Sequence, residues 1–213
     1  MWSFPGNNNT DVIGISEGGV ETFQGTPLKS LAREICQNSL DANSSTEKIV
    51  IEFKPFAIKR EDFPGVSSLE EAFKLSQDFW SLQSTKKATD FFRRALRVIN
   101  DDEINFLRIS DYNTTGLTGS HEEYNSPWCN LTKSSGNSDK GSTAGGSFGI
   151  GKFAPFACSD FRTVFYSTFD IEHVSASQGI SRITSFKNKD GEITIGTGYY
   201  GEEKNSPIFS QLV

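Results

Sequence analysis

The chain is poor in the residues that build cross-links: its 213 residues hold three cysteines (Cys36, Cys129, Cys158), two histidines (His121, His173) and one methionine. The cysteines are odd in number, far apart and without histidines at ligand spacing. That excludes a disulfide framework and a zinc finger, and reduced thiols are expected. No apolar run approaches the ~20 residues that a membrane-spanning helix needs, and the opening MWSFPGNNNT lacks the basic-then-apolar order of a secretion signal. A cytoplasmic protein with no membrane partner is expected. Basic residues are outnumbered too: 21 Lys and Arg against 27 Asp and Glu give a net charge of -6, so no global positive field draws a polyanion.

Phenylalanine (18) and glycine (19) are plentiful, and a hydrophobic fraction of 35% with 23% charged residues excludes wholesale disorder. At ~100–200 residues per domain, residues 1–213 read as a single domain. The ending IFSQLV follows an expected strand with no polar tail, which suggests the N-terminal part of a longer protein.

Residues 1–25, rich in Gly and Asn, read as an arm or edge strand. Thr26-Pro27 opens a helix whose Leu28, Leu31, Ala32 and Ile35 recur at helical spacing up to about Asn43. KIVIEFKPF, Lys48 to Phe56, predicts a strand, as does INFLRISDY from Ile104. Between them, Ser68 to Glu71 matches a capping box, and Leu69, Phe73, Leu75, Phe79 and Trp80, then Phe91 to Ile99, predict a helical hairpin inserted at about 57–101. Asn113 to Gly146 is polar, too polar to pack, and too long for a simple turn. Phe148 to Ala157 predicts a short helix, followed by strands RTVFYSTF, ISRITSF and EITIGTGYY, the last two joined by NKDG. The expected fold is α+β: a two-layer sandwich with helices on one face of a mixed, mostly antiparallel sheet. Trp2, Trp80 and Trp128 share no periodic segment and read as packing residues.

Three groups of residues carry chemistry. Glu34, Asn38 and Asp41 stand at i, i+4 and i+7, on one polar sector of the first helix, either a functional face or a solvated one. Asp111 ends an apolar strand and meets the small-residue turn Tyr112 to Gly116, where a carboxylate accepts from an exocyclic amine or closes an Asx-turn. Gly145 to Phe153, GGSFGIGKF, leads a loop into a helix, where backbone amides, the helix dipole and Lys152 suit a phosphate. Gly146 to Lys152 also fits G-x-x-x-x-G-K, but Phe153 stands where a P-loop has Ser or Thr, and NLTKSSGNSDKGSTA is no buried strand. His121-Glu122 with Pro127 is a poor match to a phosphoacceptor box, because it lies inside the long loop.

Together, E-x-x-x-N-x-x-D-A on a helix, Asp after a strand, and G-x-x-G-x-G opening a helix resemble the GHKL ATPases, the superfamily of gyrase B subunits, the ninety-kilodalton heat-shock chaperone, MutL, MORC and sensor histidine kinases. LAREICQNSLDANSS is most similar to the MutL and MORC versions, and GGSFGIGKFAPFACSDF to the chaperone version. The resemblance implies Glu34 as general base, Asn38 as magnesium ligand, and Asp111 as acceptor for the adenine amino group. It implies Asp41, Ala42 and Gly116 as pocket lining, and Gly146, Ser147, Phe148, Gly149, Ile150, Gly151 and Lys152 around the phosphates. A late-strand Thr near the adenine would be Thr197, with Thr168 its competitor. The 113–146 loop would be the ATP lid, on which Lys133 and Lys140 read as solvated. Two departures stand out: Asn113 replaces the first glycine of D-x-G-x-G with an extra residue before Gly116, and relatives have only a short connection at 57–101. Asn tolerates a left-handed backbone, so the turn can persist.

The implied activity is Mg-dependent ATP hydrolysis in a nucleotide-gated clamp. An ATP-dependent homodimer would feed a C-terminal effector module or partner subunit, with DNA repair or defence against foreign DNA as the associated work. Two alternatives stay open: a nucleotide-sensing interaction module without turnover, and a chaperone-like protein clamp.

Overall fold

The N-terminal arm starts as a two-residue edge strand, β1 (Trp2–Ser3), passes through a short helix, α1 (Gly18–Glu21), and enters α2 (Pro27–Asp41). Proline is accommodated at the start of α2 because the first turn needs no backbone donor there. β2 (Val50–Lys59) is followed by the helices α3 (Val66–Ser81) and α4 (Lys86–Ile99), then by β3 (Glu103–Tyr112). After α5 (Pro127–Thr132) come a 3-10 turn over Gly151–Phe153, α6 (Ala154–Cys158), β4 (Thr163–Phe169), β5 (Ser175–Arg182) and β6 (Thr197–Tyr200). This computed structural model describes residues 1–8, 10–43, 47–134, 150–202 and 208.

Among the described residues the strands form two antiparallel sheets, a four-stranded one ordered β1-β6-β5-β4 and a β2-β3 ribbon. The ribbon is in register over ten pairs, from Val50 opposite Tyr112 to Lys59 opposite Glu103. Pro55 sits inside it without cost to the ladder because a two-stranded ribbon has only edge strands. The architecture is α+β, as expected, but the helices are not confined to one face. Alternate residues of β4 and β6 divide between two cores: Phe165 and Tyr200 join the α3–α4 hairpin, while Val164, Tyr166 and Tyr199 join Val20 of α1 and Phe156 of α6. The reason is the inserted hairpin, which has its own apolar stripe to bury.

That stripe is extensive. Leu69, Phe73, Phe92, Ala95 and Ile99 are wholly buried, with Trp2, Phe161, Ile183 and Phe186 completing the same core. The 57–101 insertion is therefore a structural half of the molecule. The three tryptophans are buried, and two donate across elements: Trp2 Nε1 to Pro64 O at 2.9 Å, and Trp80 Nε1 to Thr184 Oγ1 and Ser185 O at 2.9 Å each. The polar 113–146 stretch is packed over its first part, against expectation. Trp128 is fully buried, and Ser126 Oγ accepts from Cys129 N at 3.1 Å and donates to Gly119 O at 2.9 Å. Local hydrogen bonds of this kind let a Ser- and Thr-rich segment fold without an apolar majority. Among the described residues no helix is long and apolar enough to cross a membrane, and Cys36, Cys129 and Cys158 are free thiols.

Candidate functional site

Helix α2 is the wall on which the site is built. It packs against α6, and Glu34 turns inward to be 8% exposed. Its carboxylate lies against Gly151: a Cβ at that glycine would collide with Glu34 Oε2 and push the carboxylate away, so the glycine permits the contact. Gly151 opens the 3-10 turn that feeds α6, and the next ring is anchored from below. The Arg182 guanidinium lies 4.7 Å from the centre of the Phe153 ring and is itself paired with Glu17, Nη2 to Oε1 at 2.5 Å.

Further along the same helix, Ser39 Oγ donates to Asp111 Oδ2 at 3.0 Å. This bond leaves Asp111 Oδ1 as an acceptor for another donor. The turn beyond Asp111 is fastened to the end of α2, with Thr115 N donating to Ala42 O at 2.8 Å and Asn43 bridging Thr114. Asn113 occupies the left-handed region at φ 64°, which asparagine tolerates, and donates from Nδ2 to Lys48 O at 2.8 Å. Gly116, at φ 65°, approaches β4 so closely that a Cβ would stand 2.9 Å from both Asp170 Cα and Thr168 Oγ1. Leu117 N donates to Thr168 Oγ1 at 2.9 Å.

Glu34, Asp111, Ala42, Gly116 and Gly151 are thus brought to one helix and its C-cap, and the eight steps from Glu34 to Ala42 span about 12 Å of its axis. Asn38 and Asp41 are exposed on α2, Asn38 one turn from Glu34 on the same side. Ile150 and Lys152 are half-buried beside Gly151. Gly146, Ser147, Phe148 and Gly149 lie outside the described residues, as does Lys140. Lys152 is occupied at the end of α5, where Nζ donates to Asn130 O at 3.3 Å and to Ser134 O. Burial, then the charge of Arg182, lowers its pKa from the ordinary lysine value, against the opposing pull of Glu17.

Thr197 is not near this constellation. It pairs with Arg182, at the Thr163 end of the sheet, whereas Thr168 is five residues further along β4, about 17 Å away. Thr168, not Thr197, is the threonine beside Gly116 and Leu117. Ser39 went unread in the sequence, because a serine inside a helix carries no signal of what it faces. Asp170 was also missed; its Oδ1 accepts from Glu172 N and Val174 N, both at 2.9 Å, and fixes the backbone that Gly116 abuts.

Among the described residues no group of three or more His, Cys, Asp or Glu side chains could hold a metal by itself. Magnesium has no need of one, since it binds through substrate phosphates and one or two protein oxygens and keeps several waters. Exposed Asn38, beside Glu34, fits that single-ligand role. Comparison with family models, with curated proteins and with solved structures found no match for this chain.

Proposed function

We propose that this chain is a GHKL-type domain that binds ATP with magnesium and hydrolyses it. The observation that carries the reading is α2, which holds Glu34 against Gly151, Ser39 on Asp111 and Ala42 on Thr115. Three motifs far apart in sequence share one helical wall in the order that a nucleotide laid along it requires: base at Asp111 and Gly116, phosphates at Gly151.

In this reading the free Asp111 oxygen accepts from the adenine amino group and Thr168 lies beside it. Backbone donors at Ile150 and Gly151 face phosphate oxygens, and the glycine admits them at close range. Glu34, shielded from bulk solvent, takes the proton from the attacking water. Asn38 would hold magnesium, which would supply neutralisation of phosphate charge. Turnover feeds a nucleotide-gated homodimer clamp coupled to an effector module or partner subunit, with DNA-associated repair or defence as its work.

Glu34→Gln keeps size and hydrogen bonding but removes the base. It should bind ATP within about twofold of wild type while losing about a hundredfold or more in turnover. Turnover equal to wild type in purified Glu34→Gln would reject hydrolysis at this site and leave a nucleotide-sensing module without turnover.

A further inference from the structure

A second site lies apart from the α2 wall, in the seam between the inserted hairpin and the body. A cavity of about 200 Å³ opens between α1, α4 and α6, and its lining includes Lys87, Phe91 and Arg94 of α4 together with Ser159, Asp160 and Arg162 after α6. Positions 87, 91 and 94 stand at i, i+4 and i+7, so one face of α4 supplies two cations around an aromatic.

Arg162 is the central group. It is 4% exposed, yet among the described residues its side chain makes a single hydrogen bond, Nη1 to Ile15 O at 2.8 Å, and lies 5.3 Å from the centre of the Phe91 ring. It has no ion pair among the described residues. A guanidinium carries five N–H donors, so most of its capacity remains for whatever enters the cavity. Buried charge is ordinarily paired, and an unpaired one at a cavity wall points to a ligand of opposite sign. Arg94, exposed and without an ion pair among the described residues, faces the same space. Lys87 is bound to Ser16 Oγ at 2.8 Å and to Glu21, and Asp160 stands exposed on the rim. Glu17 and Glu21 also act on Arg162 through space, and Glu17 is already paired with Arg182, so four cations (Lys87, Arg94, Arg162, Arg182) against three acids (Glu17, Glu21, Asp160) leave one net positive charge in a protein whose total is -6.

From this geometry we infer that the seam binds a small phosphomonoester, its phosphate held by Arg162 and Arg94. Two guanidinium forks and the Ser159 hydroxyl offer donors from several directions, which a tetrahedral oxyanion with three acceptor oxygens uses more fully than a two-oxygen carboxylate does. Phe91 and the other apolar lining residues face the organic part. The ligand would bridge the hairpin to the segment that follows α6.

The inference stands apart from ATP binding and is tested with inorganic phosphate alone, on the full chain at constant ionic strength, with acetate as the carboxylate arm. The readout is the Arg162 Nε–H resonance in nitrogen-correlated NMR spectra, assigned by its loss in Arg162→Lys. Phosphate should shift it saturably, with affinity at least tenfold above that for acetate, and Arg94→Gln, at an exposed position that spares the fold, should weaken phosphate about tenfold. Equal affinities for phosphate and acetate would overturn the phosphate assignment. No saturable shift, or a phosphate affinity unchanged in Arg94→Gln, would overturn the site.

Discussion

A single methyl group at Gly151 would break the contact on which the proposed chemistry depends. Gly151→Ala puts a Cβ into the Glu34 carboxylate, so the buried acid must swing away from the 3-10 turn whose Phe153 ring lies under Arg182. The expected cost is about 1–3 kcal/mol of stability, read as a lower urea midpoint, together with loss of turnover. An unchanged midpoint would show that the two groups do not pack as described. The grouping of residues on α2 was legible where local patterns mark them. Glu34, Asp111 and Gly151 could be picked out because helix periodicity and a glycine-rich entry into a helix are local signals. Thr168 outranks Thr197 only through the close approach of Gly116 to β4, a contact between segments some fifty residues apart that no local pattern encodes. Lys152 reads in sequence as a phosphate partner and in the structure caps α5, because a lysine takes whichever acceptors lie within reach.

At the scale of elements, the α3–α4 hairpin governs stability. Phe92→Ala empties a fully buried position and should cost about 3–5 kcal/mol in urea unfolding. Leu82→Ala, at 88% exposure in the turn between the two helices, should stay within about 0.5 kcal/mol. Similar costs for both would mean that the hairpin is not part of the core. The hairpin is also tied to the end of β2 by Glu70, which accepts from Lys74 at 2.5 Å and from Arg60 Nη2 at 2.6 Å. The Lys74 hydrogen bond, with help from Asn100 and Arg60 and against burial, lowers the Glu70 pKa below its ordinary value of 4.5. The folded carboxyl therefore binds its proton less readily than the unfolded one. Its contribution is present above pH 4.5 and fades as pH falls through the lowered folded value. Glu70→Gln should flatten the stability profile in that acid window and leave the slope at neutral pH unchanged. An identical acid slope in the variant would contradict the pairing. Periodicity revealed that the hairpin exists, but one sequence cannot say which sheet face it covers. The same limit explains β5: ISRITSF predicts a strand from Ile180, whereas pairing with β4 begins at Ser175 and Ile183 to Phe186 leave the ladder while staying buried.

For the whole molecule, the order of the longer helices and strands was readable from hydrophobic pattern, and the α+β class followed from it, whereas the short helices α1 and α5 were not. The division of the four-stranded sheet between two cores was not, since it depends on where an insertion docks rather than on its own composition. Burial on both faces gives the body a frame on which, in the proposed reading, α2 grips both ends of a nucleotide. Such preorganisation makes binding depend on a few groups. The most direct test of that claim is calorimetric titration of wild type and Asp111→Ala with a non-hydrolysable ATP analogue and magnesium. Asp111 is exposed, so its loss should spare the fold while removing the adenine acceptor that Ser39 orients. The account predicts saturable binding by wild type and at least a tenfold loss of affinity in Asp111→Ala. No binding by wild type, or equal binding by both, would contradict it.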